Sequence, residues 1–184
     1  MIDFEPTAIP GAWLVRSRRM RDDRGSFARL YCRDAFASIR PGLEFVQVNH
    51  SVTRLRGTVR GMHFQHAPAA EVKLVRCIAG AVHDVVVDVR AGSPGFLRTF
   101  AVRLSADEDV ALLIPEGVAH GFQALADGAA LLYQHGAPYT PACEDGVRHD
   151  DPALGIAWPL PVAFVSERDR AFELVSGRTR PLWP

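Results

Sequence analysis

From Phe45 onward the chain is a succession of short apolar runs divided by Gly, Pro, Asp or Ala-Gly. FVQVNHSV, TVRGMHFQ, VKLVRCI, AVHDVVVDV, RTFAVRL, VALLIP, HGFQAL and AALLYQ follow one another at spacings of roughly ten residues. Val, Leu and Phe dominate these runs, and the pattern predicts an antiparallel all-β sandwich or barrel. Ala79-Gly80 and Ser93-Pro94-Gly95 read as tight turns. Ahead of this block, Gly11 to Arg16 and Ser26 to Tyr31 read as two entry strands separated by the turn-prone MRDDRG. Arg33 to Ile39 reads as a short helix that ends before Pro41. Past Tyr133 the proline-rich and acidic HGAPYTPACEDGVRHDDPALGIAWPLP suits a long surface loop, followed by a terminal helix around Ser166 to Leu174. No fixed-period repeat or linker interrupts the pattern, so residues 1–184 are expected to form a single domain.

Composition narrows the picture without changing it. A chain of 184 residues is expected to bury roughly 70% of its unfolded surface. The 21 basic residues cancel the 21 acidic ones, so no net field draws the chain to nucleic acid or to an acidic membrane. Three cysteines, Cys32, Cys77 and Cys143, are an odd number without CxxC spacing. That argues against a disulfide framework and a thiolate zinc site, and for a reducing compartment. The N-terminus has no secretory pattern and no segment approaches a membrane span, so a cytoplasmic location is expected.

The chemistry concentrates between Gly57 and Asp88, where Arg60, His63, Lys73, His83 and Asp84 stand among apolar residues at strand spacing. In a strand, His63 shares a face with Gln65 and not with Phe64. Such a histidine is either a satisfied core residue or a base. The cations Arg60, Lys73 and Arg76 on neighbouring strands favour the second role, because buried cations call for an anionic ligand. Pro115 to His120 (PEGVAH) resembles the second metal motif of a cupin barrel. The first motif fails, since Gln65 stands two positions after His63 and His66 would point to the opposite face. By spacing alone, Tyr133 is a strand-end phenol and Asp169 a cap or surface acid.

A resemblance covers nearly the whole chain, in order. The segments DDRGSF (22–27), FVQVNHS (45–51), RGMHFQ (60–65), KLVRCIAGAVHDVVVDVR (73–90), IPEGVAHGF (114–122), PYTP (138–141), DDPALGIAWP (150–159) and SERD (166–169) together resemble the dTDP-4-dehydrorhamnose 3,5-epimerase family. The resemblance implies a cupin-type jelly roll with a few short helices, and a homodimer that exchanges N-terminal strands. It also implies catalysis without a metal or other cofactor on a nucleotide-sugar substrate. By motif, His63 matches the catalytic base, Asp169 the acid that partners it, and Tyr133 the proton donor on the other face of the sugar. Arg24, Gln47, Asn49, Arg60, Lys73, His120, Glu144 and Arg168 match positions that hold the substrate, with Lys73 as the expected enolate stabiliser.

Departures from the family pattern fall around that set. Arg29 stands where RGxFxE has a glutamate that helps hold the thymine base, Val48 replaces an aspartate, Ser26 an aromatic and Pro138 a tyrosine. An arginine offers only donors, so at the base it would favour the acceptor edges of cytosine or guanine over the N3-H of thymine. Two other readings stay open on sequence alone: a metal-dependent cupin oxygenase or isomerase, and a non-catalytic sugar-binding barrel.

Overall fold

The computed structural model describes residues 1–183. In chain order its strands are β1 (Ile2–Pro6), β2 (Trp13–Ser17), β3 (Arg19–Asp22), β4 (Gly25–Ala28), β5 (Gln47–Thr53), β6 (Val59–Gln65), β7 (Lys73–Ala79), β8 (Ala81–Asp88), β9 (Thr99–Ser105), β10 (Val110–Ile114), β11 (Val118–Ala124), β12 (Ala129–His135) and β13 (Glu144–Gly146). Two single-turn helices interrupt them, α1 (Arg33–Phe36) and α2 (Glu167–Arg170). Each of the eight expected runs after Phe45 forms a strand. The entry differs from expectation: MRDDRG is mostly strand, because β3 and β4 pair through Asp22↔Gly25 to Arg19↔Ala28 and only two residues remain for the turn. The first strand, β1, was also not foreseen, and α1 is shorter than Arg33 to Ile39.

Two antiparallel sheets stack as a jelly roll. One has the order β1-β2-β10-β7-β12-β5, the other β13-β6-β11-β8-β9, and β3-β4 forms a separate ribbon. Alternation along each strand decides what enters the space between the sheets. Val75 and Cys77 of β7, Leu112 and Ile114 of β10 and Leu131 of β12 meet Val82 and Val86 of β8 and Phe122 of β11 there. The outer face of the second sheet buries Met62, Phe64, Val85 and Val87 under Leu154 and Leu182 of the C-terminal loops. On the outer face of the first sheet, Val15, Leu74 and Leu113 pack beneath Phe36 of α1.

The interior strands change character along their length. On inward positions, β7 runs from Lys73 to Val75 and Cys77, β12 from His135 and Tyr133 to Leu131, and β11 from His120 to Phe122 and Ala124. The barrel is therefore apolar at one end and polar at the other. Gly80, with φ +66°, makes the expected turn between β7 and β8, a backbone conformation that glycine adopts without steric cost. No helix among the described residues is long and apolar enough to cross a membrane.

Candidate active site

The polar end opens into a cavity of about 680 Å³ lined from both sheets, with His63 and His120 on one side and Lys73, Tyr133 and His135 on the other. That volume suits a small-molecule site. β6 and β11 place the two histidines in direct register, His120↔His63, after which a bulge sets Phe122 opposite Arg60. The two strands approach closely where glycine faces glycine. Gly61 has φ +116°, and a Cβ there would stand 2.6 Å from the Gly121 Cα.

His63 is held from behind. Its Nε2 lies 2.8 Å from Asp169 Oδ1, and the other carboxylate oxygen accepts the Gly61 N–H at 3.0 Å. Ser166 caps α2 by accepting the Asp169 N–H, which fixes the acid at the start of the turn. Burial alone pushes the Asp169 carboxyl upward, but the hydrogen bond and charge of His63 and the Gly61 N–H outweigh it and bring the group down to about 2. An ionised carboxylate only accepts, so Nε2 carries a proton, and the neutral form of the imidazole has its lone pair on Nδ1. Arg168 Nη2 lies 3.2 Å from that same Nε2 and Arg168 Nε 3.5 Å from Asp169 Oδ1. A protonated nitrogen cannot accept, so Arg168 acts there as a charge beside the carboxylate. It also pairs with Glu144 at 3.0 Å, and the Tyr139 hydroxyl donates to Glu144 at 2.8 Å.

Lys73 comes from the opposite sheet. Its ammonium donates to the His63 carbonyl at 3.3 Å and pairs with Glu71 at 3.1 Å, tying β6 to β7. Tyr133, also inward on β12, has its phenol held well above the ordinary range, by burial first and by the negative charge of Asp84 second. The phenol is therefore neutral at ordinary pH. Asp84 is fully buried and accepts from His120 Nε2 at 2.9 Å, a second histidine–acid pair next to Tyr133. Arg60 is exposed at the rim, with Nη2 on the Val52 carbonyl at 3.2 Å.

Most of the expected site residues converge here. Asn49, Arg60, His63, Lys73, His120, Tyr133, Glu144 and Arg168 line one cavity, Asp169 braces His63 from behind, and Gln47 bonds to Asn49 at 3.2 Å. Arg24 and Arg29 are not brought to it within one protomer. Arg24 pairs with Asp22 at 2.6 Å on the β3–β4 ribbon, and Arg29 is exposed just past β4. Two further expectations fail for a reason of parity. Arg76 alternates with Lys73 and Val75 and so lies on the outer face, donating to the Leu30 carbonyl. His83 likewise turns outward against Trp158. At the positions compared with a cupin metal motif, Gln65 bonds to Ala69, Pro138 and Thr140 backbone groups, His120 to Asp84, and His66 to Asp145 at 3.0 Å. Sequence reasoning missed Glu71 and His135 as members of the site, whereas Asp84, singled out by its strand spacing, enters as the partner of His120. His135 stands two positions from Tyr133 on β12, so the strand period puts both on one face; Glu71 precedes β7 and carries no such signal.

Comparison with known proteins agrees with this geometry. The family model described as dTDP-4-dehydrorhamnose 3,5-epimerase matches residues 6–176. A dTDP-4-dehydrorhamnose 3,5-epimerase of Streptomyces griseus is 44% identical over 172 residues, covering 91% of this chain and 84% of the relative. A dTDP-4-dehydrorhamnose 3-epimerase of Streptomyces niveus is 41% identical over 183 residues, covering 98% and 88%. Among solved structures, NovW, a 4-keto-6-deoxy sugar epimerase from the novobiocin biosynthetic gene cluster of Streptomyces spheroides, superposes with a TM-score of 0.91 at 40% identity, covering 96% of this chain and 88% of that one. A jelly roll with a histidine–acid pair on one sheet and a phenol and ammonium on the other, matched over nearly its whole length, makes this chain an isomerase that belongs to the dTDP-4-dehydrorhamnose 3,5-epimerase family.

Proposed function

We propose that the chain epimerises a nucleoside-diphosphate 4-keto-6-deoxy sugar at C3, C5 or both, with His63 as base and Tyr133 as acid. A ketone at C4 acidifies the hydrogens on C3 and C5. The free Nδ1 of His63 removes one of them, Lys73 steadies the enolate oxygen that forms, and Tyr133 returns a proton to the other face of the sugar. The observation that carries this reading is the division of labour between the sheets: an Asp169-oriented base on β6 and a neutral phenol on β12 line one cavity. Attack from one wall and return from the other is inversion. Asn49, Gln47, His120, Glu144 and Arg168 hold the sugar, and Arg60 meets the diphosphate, where a guanidinium fork pairs well with anionic oxygens.

The rest of the substrate site is assigned to a second copy. Met20 and Phe27 are 61% and 63% exposed on the β3–β4 ribbon, and Val48 and Val52 are 60% and 53% exposed on the edge strand β5. Apolar residues at these exposures on a ribbon and an open sheet edge support a homodimer with exchanged N-terminal strands. In that dimer, Arg24 and Arg29 of the partner subunit reach the diphosphate and the nucleobase. Free Cys32, Cys77 and Cys143 support a cytoplasmic setting.

The test is proton exchange in heavy water across a panel of nucleotide-linked 4-keto-6-deoxy sugars, followed by NMR. Deuterium entering C3 or C5, with inverted product, is expected. A panel in which no sugar exchanges overturns the reading in favour of a silent sugar-binding barrel.

A further inference from the structure

The cavity holds a chain of polar groups with two members, His135 and Glu71, that have no part in the proposed reaction. It starts at a fixed point. The Tyr139 backbone N–H donates to Gln47 Oε1 at 3.1 Å, so the other end of that amide, Nε2, is a donor. It faces Asn49 Oδ1 at 3.2 Å, which turns the Asn49 NH₂ toward His135 Nε2, also at 3.2 Å. That imidazole nitrogen must therefore accept. The remaining ring nitrogen, Nδ1, carries the proton and donates to Glu71 Oε2 at 2.6 Å. The second oxygen of Glu71 holds the Lys73 ammonium at 3.1 Å.

Every donor in this series meets an acceptor only if His135 is neutral with its proton on Nδ1 and Glu71 is ionised. Burial pushes the Glu71 carboxyl upward, but the hydrogen bond from His135 and the charge of Lys73 help outweigh it and leave the group below its ordinary value, in keeping with an ionised Glu71. Reversing the order at any member sets two donors against each other, because the backbone N–H of Tyr139 cannot turn round.

We propose that Glu71 is a positioning residue for the epimerisation: one oxygen holds the Lys73 ammonium, and the other fixes the His135 tautomer that orients the Asn49 and Gln47 amides toward the sugar. The proposal rests on the assignment of Lys73, Asn49 and Gln47 to the substrate, and it predicts a specific defect. Glutamine at position 71 offers one oxygen and one NH₂. With the oxygen toward His135, the NH₂ opposes the Lys73 ammonium; with the NH₂ toward His135, the imidazole proton moves to Nε2 and opposes the Asn49 NH₂. One of the two holds is lost either way.

The experiment reads the tautomer directly, by ¹⁵N NMR of the full-length protein labelled at histidine, with the His135 signals identified from their absence in His135→Gln. Near neutral pH the wild type should show a neutral His135 protonated on Nδ1. Glu71→Gln should move that proton to Nε2, or raise KM for the 4-keto sugar nucleotide by about fivefold or more with kcat falling less, as expected for the loss of one buried hydrogen bond. Asn49→Asp approaches from the other end. Its carboxylate can only accept, so His135 should become doubly protonated between two acids. A wild-type His135 protonated on Nε2, or an imidazolium, overturns the proposal whatever the variants do. So does a Glu71→Gln protein with unchanged tautomer, KM and kcat, or an Asn49→Asp protein with an unchanged ring. Absence of exchange in the wild type would instead strike at the epimerase reading, leaving the tautomer result intact.

Discussion

His63 and Asp169 lie 106 positions apart in the chain and 2.8 Å apart in the fold, Nε2 to Oδ1. The contact determines which nitrogen of His63 is free, and so determines what His63→Asn should do. Loss of a general base costs at least ~10² in rate, so deuterium wash-in at C3 and C5 should vanish in His63→Asn and His63→Ala while nucleotide affinity and the thermal midpoint stay close to wild type. A variant that keeps more than about a tenth of the exchange rate would remove His63 from the role of base.

Asp169→Asn probes the other half of the pair and gives a pH dependence with a definite sign. The folded carboxyl sits near 2, below its ordinary 3.8. Its contribution is therefore present above pH 3.8 and is lost as the pH falls through about 2. The difference is worth about 2 kcal/mol. Urea unfolding at neutral pH and at the acid end of this window should show the wild type losing about that much more stability than Asp169→Asn. Equal acid sensitivity of the two proteins would mean that Asp169 is not the ionised partner of His63.

Tyr133→Phe removes only a phenolic hydroxyl, so it separates abstraction from return. Exchange driven by His63 should persist, while net inversion falls by at least ~10². The two are read from one NMR time course, as label incorporated against product stereochemistry. If both survive equally, Tyr133 is packing and the proton returns from elsewhere.

Gly61→Ala tests the glycine crossing under the base. The added methyl meets the Gly121 Cα at 2.6 Å, at φ +116°, and the same residue supplies the N–H that holds Asp169. Overpacking and backbone strain together should cost at least ~3 kcal/mol in denaturant unfolding. A loss under about 1 kcal/mol would show that β6 and β11 can separate without harm.

Arg29→Glu reports on the nucleobase and on the second copy together. A glutamate accepts the thymine N3-H that an arginine cannot, so the substitution should shift relative affinity toward dTDP over CDP and GDP by about tenfold. Titration of the four diphosphates dTDP, UDP, CDP and GDP measures it. Unchanged ratios would place Arg29 away from the base and leave it as a surface residue of the ribbon.

The strands after Phe45 were legible because their boundaries are written in Gly, Pro and Asp and their faces in a period of two. The same rule misled for Arg76 only where charge was weighed ahead of parity, since Arg76 alternates with Lys73 and points out of the barrel. The pairing of His63 with Asp169 was not legible from spacing. In SERDRAF, Asp169 reads as a cap or surface acid, but the cap is Ser166 and Asp169 is buried; that this acid docks under β6 depends on contacts across most of the chain. Arg24 and Arg29 illustrate a different limit, for the ribbon that carries Arg24 and leads into Arg29 joins neither of the two large sheets of its own protomer.

The position of Asp169 in chain order has a consequence for biosynthesis. All the strands of both sheets precede α2, so the acid that sets the His63 tautomer is the last member of the site to leave the ribosome. Until α2 docks, the imidazole has no partner to choose between its nitrogens. The cell thus acquires the orienting acid last, and a chain clipped between β13 and α2 would lose it together with the Leu182 that covers the outer face of the second sheet.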